Sequence, residues 1–333
     1  MRPTIVLAMM DGLLEHAFAP EHLERLRAAG ELLDDRPLHD LTDERARDLL
    51  ARAEVLVGHW GCPTLTAEVL ERAPRLRLFA YAAGTVKWQV TDAVWQRGLL
   101  VTSAAAANAV PVAEYTVAMV LLAGKGVLLS RELQRRPEAK VPLDPLRAGN
   151  YGLRVGLVGA SHVGRLVIEL LGPYDVEIAV YDPYLGPEEA EALGVELVAD
   201  LDELCAGVEV LSLHAPDVDA TKGMIGAAQL ARMPDGATLI NTARPALVDT
   251  AALEAELLSG RIEGILDVTD PEPMPTDHPL LSLPNVFVTP HVAGASGNEL
   301  ARLADLAVCE VERFVAGEPP SYPVTAADLD RIA

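Results

Sequence analysis

The chain has 333 residues, half of them hydrophobic, and a formal net charge of −22. That length exceeds what one hydrophobic core supports, so two domains are expected. The acidic balance excludes nucleic acid as a partner, whose phosphates would be repelled, but not a small anion, because a local cationic pocket overrules a global field.

The opening "TIVLAMM" is too short for a signal segment and runs straight into Asp11, so it predicts a first strand. "AEVLVGHW", "LRLFAYAAG" and "LLVTSAA" follow as further short apolar strands with helical stretches between them. The longest apolar run, Val110 to Leu129, is interrupted by Glu114, Tyr115 and Lys125, which predicts a buried helix and no membrane span. Next comes "RELQRRPEAKVPLDPLRAGNYG", polar and rich in proline and glycine, expected to be a loop or arm. A second series begins at "RVGLVGAS" and continues through "VEIAVYDP", "VEVLSLHAP", "ATLINTAR", "EGILDV" and "NVFVTPHVAG". Such uninterrupted Val/Ile/Leu runs are those of parallel strands covered on both faces. A final amphipathic helix is expected from about Asn298 to Ala316, ended by Gly317.

The fold class is therefore α/β: two Rossmann-like or flavodoxin-like parallel-sheet domains, with a cleft where the chain crosses between them and returns. The expected division is 1–107 with 295–333, and 108–294. Cys62, Cys205 and Cys309 lie far apart without metal-ligand spacing, so no metal site is expected and a reducing, cytoplasmic setting is.

In "VGLVGASHVGRL", Gly159 and Gly164 stand where a dinucleotide fingerprint needs its first and third glycines, but Ser161 replaces the second. The serine either crowds a phosphate at the helix N-terminus or donates a hydrogen bond to it. Asp182 closes the next strand, where a carboxylate binds ribose hydroxyls and repels a 2′-phosphate, so NAD is expected in preference to NADP.

Three later stretches, "LSLHAPDVDATKGMI", "MPDGATLINTARPALVD" and "GILDVTDPEPMPTDHPLLSLPNVFVTPHVAGAS", resemble in order and spacing the motifs of the D-isomer-specific 2-hydroxyacid dehydrogenases. The resemblance spans nearly the whole chain and implies hydride transfer between NAD(H) and a small 2-hydroxy or 2-keto acid. It makes 108–294 the NAD-binding domain and the remainder the substrate-binding domain. It places a catalytic arginine at Arg244, a glutamate at Glu272 and a histidine at His291. Those residue types suit the chemistry: a histidine titrates near neutrality, a neighbouring carboxylate orients it, and a guanidinium clamps a carboxylate. Further cofactor contacts implied are His162, Val163, Ala215, Pro216, Thr242, Ala243, Asp267 and Gly294. Substrate contacts implied are Trp60, Ala83, Gly84, Asn108 and Arg244, with Asn108 also expected to cap a helix starting near Pro111.

Pro245 departs from the glycine that the family places after its arginine, and Thr269 from a phenylalanine. Trp60 stands where phosphoglycerate enzymes of the family carry an arginine, which speaks against a phosphorylated substrate. The indole either faces an apolar or aromatic tail or walls off a small pocket. A homodimer with an interface arm at about 127–152 is implied by the resemblance alone. Because the family includes corepressors that bind NAD(H), a binding protein without significant turnover is the alternative, with Ser161 and Pro245 in its favour and the complete Arg–Glu–His set against it.

Overall fold

Described here from a computed structural model covering residues 2–135 and 148–329, the protein divides into two units. The first runs to Ala109 and resumes at Ala295; the second is Val110–Gly294. In chain order the strands are β1 (Thr4–Ala8), β2 (Glu31–Leu32), β3 (Val55–Gly58), β4 (Leu78–Tyr81), β5 (Leu100–Ser103), β6 (Leu153–Val158), β7 (Val176–Tyr181), β8 (Glu196–Leu197), β9 (Val210–Leu213), β10 (Thr238–Asn241), β11 (Glu263–Leu266), β12 (Val286–Val288) and β13 (Pro323–Val324).

The first unit holds a six-stranded sheet ordered β13-β5-β4-β3-β1-β2, parallel except for β13, which pairs antiparallel with β5. Its parallel part has the flavodoxin-like order. Alternate residues face opposite layers. Val6, Leu56, Phe79 and Val101 enter one core cluster, while Ile5, Leu7, Val55, Val57 and Leu78 enter another beneath the helix Leu300–Ala316. That helix begins two residues later than expected, after a short 3₁₀ turn at Gly297–Glu299, and ends at Gly317 in the left-handed region at φ 74°.

The second unit holds a seven-stranded parallel sheet ordered β12-β11-β10-β9-β6-β7-β8, the doubly wound arrangement whose switch point lies between β6 and β9. Val155, Leu157, Ile240 and Ile265 face one layer; Val158, Leu211, Leu239 and Leu266 face the other. Both faces are covered, which is why the strands read as continuous apolar runs.

Three expectations are corrected. The apolar stretch before the second sheet is two helices, Ala105–Gly124 and Val127–Arg135, broken at Lys125–Gly126. The first is long and apolar enough to cross a membrane by length and composition. Its Ala113, Val117 and Val120 lie in the second unit's core while Glu114 and Ala118 are exposed, the pattern of a helix packed on a sheet. Residues 131–135, expected in a loop, continue the second helix, where Glu132 pairs with Arg131 at 2.8 Å and Arg135 at 3.2 Å. Of the expected arm, 136–147 lie outside the described residues. Asn108 does not cap a helix start: it sits within Ala105–Gly124, whose first N–H, on Ala105, bonds Ser103 Oγ at 3.2 Å, and Pro111 is inside the helix.

Candidate active site

Three loops at the C-terminal ends of neighbouring strands in the second unit carry the expected Arg–Glu–His set. β12 leads into Thr289-Pro290-His291, and His291 adopts φ 54°, the left-handed region that a non-glycine residue rarely enters. The loop is held there by Asp267, one residue past β11 and only 1% exposed. Asp267 Oδ1 accepts from Thr289 Oγ1 at 2.6 Å and Val292 N at 2.8 Å, and Oδ2 from Ala293 N at 2.9 Å. The His291 N–H donates to Asp267 O at 2.9 Å. Asp267, expected to meet a nicotinamide carboxamide, is seen to anchor the histidine loop, with one lone pair of Oδ2 unspent by these bonds.

The imidazole Nδ1 of His291 lies 2.6 Å from Glu272 Oε1. A carboxylate only accepts, so Nδ1 donates and Nε2 is left without a partner among the described residues. Both side chains remain partly open, 47% and 38% exposed. Glu272 lies between two cis peptide bonds, Asp270–Pro271 and Glu272–Pro273.

Arg244 follows β10 and is half-buried. Burial pushes its guanidinium below the usual arginine value, while the negative charges of Asp217 and Glu272 pull it back up. Asn241 fastens its loop: the Oδ1 accepts from Ala243 N at 3.1 Å and the Nδ2 donates to Arg244 O at 2.9 Å. The backbone of Arg244 is extended, φ −146° and ψ 144°, the region a residue before proline takes, and Pro245 opens a 3₁₀ turn. The backbone of Arg244 is therefore already in a conformation compatible with Pro245.

The glycine loop shows which positions tolerate a side chain. Gly159 has φ 101°, and a Cβ there would lie 2.8 Å from Ala215 N; one on Gly164 would lie 2.2 Å from Gly159 O. Ser161 has φ −65°, open to any residue, and caps the helix His162–Leu171 by accepting from Gly164 N at 3.4 Å. The N–H groups of Ser161, His162 and Val163 have no partner among the described residues, so the helix start retains an anion cradle. Asp182 receives Ala160 N at 2.7 Å and Tyr184 N at 2.8 Å, one on each oxygen, and can still accept from ribose hydroxyls.

His214, beside Gly164, is fully buried and pushed down to about 3 by that burial. Its Nε2 meets Ser212 Oγ at 3.0 Å and its Nδ1 has no partner among the described residues. Ala215 and Pro216 continue this loop after β9. Thr242 is buried, with its hydroxyl bonded to Thr116 at 2.9 Å, leaving Ala243 as the more open neighbour of Arg244. Gly294 ends the unit. The free amides, the two positions with no room for a Cβ, the available carboxylate and the unpaired His214 nitrogen fit a dinucleotide at the switch point.

In the first unit, Trp60 follows β3 and is 39% exposed. Ala83 and Gly84 follow β4; Ala83 O accepts from Ala104 N at 3.0 Å, and the N–H groups of residues 83–86 have no partner among the described residues. Asn108 lies against Gly84, and its Oδ1 accepts from Ala295 N at 3.0 Å.

Sequence reading missed Asn241 and Tyr115. Tyr115 OH lies 2.7 Å from Thr289 Oγ1, which itself donates to Asp267, so the phenol is the donor. Asn241 stood inside a quoted motif and was legible there; Tyr115 gave no signal, because its partner is 174 residues away.

Residues 117–293 match the family model for the D-isomer specific 2-hydroxyacid dehydrogenase, NAD binding domain. The chain is 33% identical over 307 residues to D-3-phosphoglycerate dehydrogenase from Methanocaldococcus jannaschii, covering 90% of this chain but only 57% of that one. It is 35% identical over 282 residues to glyoxylate reductase from Korarchaeum cryptofilum, covering 83% of each. A solved NADPH-dependent glyoxylate/hydroxypyruvate reductase from Sinorhizobium meliloti superposes with a TM-score of 0.75 at 25% identity, covering 100% of both chains.

Proposed function

Because this chain belongs to the D-isomer specific 2-hydroxyacid dehydrogenase family, we propose that it interconverts a small, non-phosphorylated 2-keto acid and its D-2-hydroxy acid with NAD(H). The observation that carries this reading is the His291–Glu272 pair, which fixes the imidazole through Nδ1 and presents Nε2 unspent. When bound, the nicotinamide supplies the hydride to the carbonyl carbon, or takes it back in the reverse direction. His291 Nε2 delivers a proton to the carbonyl oxygen in reduction and removes it in oxidation. Glu272 holds the ring and stabilises the imidazolium. Arg244 clamps the substrate carboxylate and polarises the carbonyl.

Two features support the finer claims. The loops after β1, β3 and β4 (residues 9–12, 59–64 and 82–89) contain no arginine and one lysine, Lys87, a poor match to a phosphate that wants bidentate donors. At the glycine loop, Asp182 disfavours a 2′-phosphate, and Arg165 bonds Glu189 at 2.7 Å and Ala160 O at 2.9 Å. NADH is thus the proposed cofactor even though one relative is named for NADPH. Three free cysteines fit a cytoplasmic protein; a homodimer is the proposed assembly, which sedimentation equilibrium tests.

The primary test is consumption of NADH and of NADPH against a panel of 2-keto acids by wild type and His291→Ala. Turnover by wild type that falls roughly 10²- to 10⁴-fold in the variant supports the reading. Equal turnover by both would overturn the role of His291, and NADH binding without any turnover would favour a binding protein.

A further inference from the structure

Two consecutive residues of the helix Ala105–Gly124 carry hydroxyls, and each bonds a threonine that stands two residues before a member of the Arg–Glu–His set. Tyr115 OH lies 2.7 Å from Thr289 Oγ1, in the run Thr289-Pro290-His291. Thr116 Oγ1 lies 2.9 Å from Thr242 Oγ1, in the run Thr242-Ala243-Arg244. The two threonines follow β12 and β10, which β11 separates in the sheet. All four residues belong to the second unit. One helix thus bonds two loops that leave the sheet from strands that are not neighbours.

The first contact has a fixed direction. Thr289 has one hydroxyl proton and gives it to Asp267 Oδ1 at 2.6 Å, so its oxygen accepts from Tyr115. Burial pushes the phenol above its ordinary value, so that proton stays on Tyr115. Donation into a hydroxyl strengthens the bond the hydroxyl itself donates, and here that bond runs to the carboxylate holding Val292 N and Ala293 N. Thr289 also meets His291 through the main chain, its O accepting from His291 N at 3.0 Å. Fixing the Thr289 side chain therefore fixes the start of the turn that gives His291 its φ of 54°. The second contact joins two buried side chains. Asn241 fastens the main chain at Ala243 N and Arg244 O, and the bond from Thr242 to Thr116 ties that same turn to the helix.

Loops at a sheet edge are the mobile parts of a fold, whereas a proton donor and a carboxylate clamp acting on one substrate must keep a common geometry to a fraction of an ångström. We propose that Tyr115 and Thr116 are positioning residues: their adjacent hydroxyls set the histidine loop and the arginine loop against one helix, and so fix the proton donor relative to the clamp. This rests on the dehydrogenase reading above. Each residue acts through its threonine, Tyr115 on His291 and Thr116 on Arg244, so the two have separable effects.

The experiment compares wild type, Tyr115→Phe, Thr116→Val and Thr116→Ser by two readouts. The first is NADH consumption with the 2-keto acid that wild type reduces fastest. Tyr115→Phe, which loosens the proton donor, is expected to lower kcat about 3- to 10-fold with KM near wild type. Thr116→Val, which loosens the clamp, is expected to raise KM by a similar factor, and Thr116→Ser, which keeps the hydroxyl, to stay near wild type. The second readout is amide hydrogen exchange of the free protein, followed by NMR. Residues 291–293 should exchange faster in Tyr115→Phe alone, and residues 242–244 in Thr116→Val alone. Should Thr116→Val fail to fold because Thr242 is left unpaired in the interior, the pair Thr116→Val/Thr242→Val, which removes both partners, takes its place. Kinetic constants unchanged in both variants, the same change in both, or exchange that rises uniformly or not at all, each overturns the inference and leaves the dehydrogenase reading standing. If wild type reduces no acid, that reading fails instead, and exchange decides alone. Acceleration confined to the loop bonded by the altered hydroxyl keeps the helix as the brace of both loops, and any other pattern removes it.

Discussion

Asp267→Asn tests whether this buried carboxylate holds the histidine loop. The carboxylate takes one hydroxyl and two backbone donors at 2.6, 2.8 and 2.9 Å and is 1% exposed, so no water replaces a lost bond. An isosteric carboxamide has one acceptor atom. Placed at Oδ1, its oxygen keeps Thr289 and Val292, but its NH₂ then faces the buried N–H of Ala293. One buried donor left unsatisfied costs about 1–3 kcal/mol, and turning two charge-assisted bonds into neutral ones costs about 1 kcal/mol more. The sum, about 2–4 kcal/mol, corresponds to a Tm decrease of roughly 4–16 °C for a unit of this size. Differential scanning calorimetry of the variant measures it, with kcat expected to fall as His291 loses its fixed position. A Tm within about 1 °C of wild type would refute the idea that these three bonds organise the loop, since an unpaired buried donor always carries a cost.

Ser161→Gly should lower stability by only a few tenths of a kcal/mol, because glycine replaces serine at an N-cap cheaply, and should leave the NADH Kd within about threefold of wild type. A tenfold change by fluorescence titration would show that the hydroxyl itself binds the phosphates. Burial pushes Glu263 from 4.5 up to about 7. The unfolded chain therefore loses this proton first, and stability falls as pH rises from about 4.5 to 7, by about 1–3 kcal/mol, the half-buried side chain reducing the full effect. Glu263→Gln should remove that slope in urea titrations at successive pH values; an unchanged slope would place the dependence elsewhere. Finally, His291→Gly should be more stable than His291→Ala by about 1 kcal/mol although both lose activity, because only glycine takes positive φ freely. Equal Tm values would show that the φ of 54° is not maintained.

Much of the second unit was readable because its motif residues directly follow strands. "INTAR", "ILDV" and "VTPH" each end a run of Val, Ile or Leu with the residues that turn out at the sheet's C-terminal edge. Three kinds of feature were not readable. The two-residue edge strands β2, β8 and β13 are too short to show a period. The start of Ala105–Gly124 was hidden because the run is apolar on most sides, so no periodic contrast marks its first turn, and Pro111 imitates a helix start. The role of Ser161 was undecidable from the letter alone, because it depends on a φ of −65° that Gly159, at φ 101°, does not share.

What joins these observations is a division of labour between buried polar residues and the side chains proposed to react. Arg244 is placed by Asn241, and His291 by Asp267; in each case the holder is nearly fully buried and bonds backbone groups of the loop it holds. Among the described residues the His291 imidazole hydrogen-bonds only Glu272, and the side chain is 47% exposed. Losing it removes a half-exposed pair worth at most about 1 kcal/mol, whereas losing its holder strands donors in the interior. The proposed chemistry and the stability thus fall to different residues, and the left-handed φ at His291 shows how the two are linked. A conformation costing on the order of 1 kcal/mol is maintained by bonds worth several times that, and it keeps Nδ1 on Glu272 while Nε2 has no partner among the described residues.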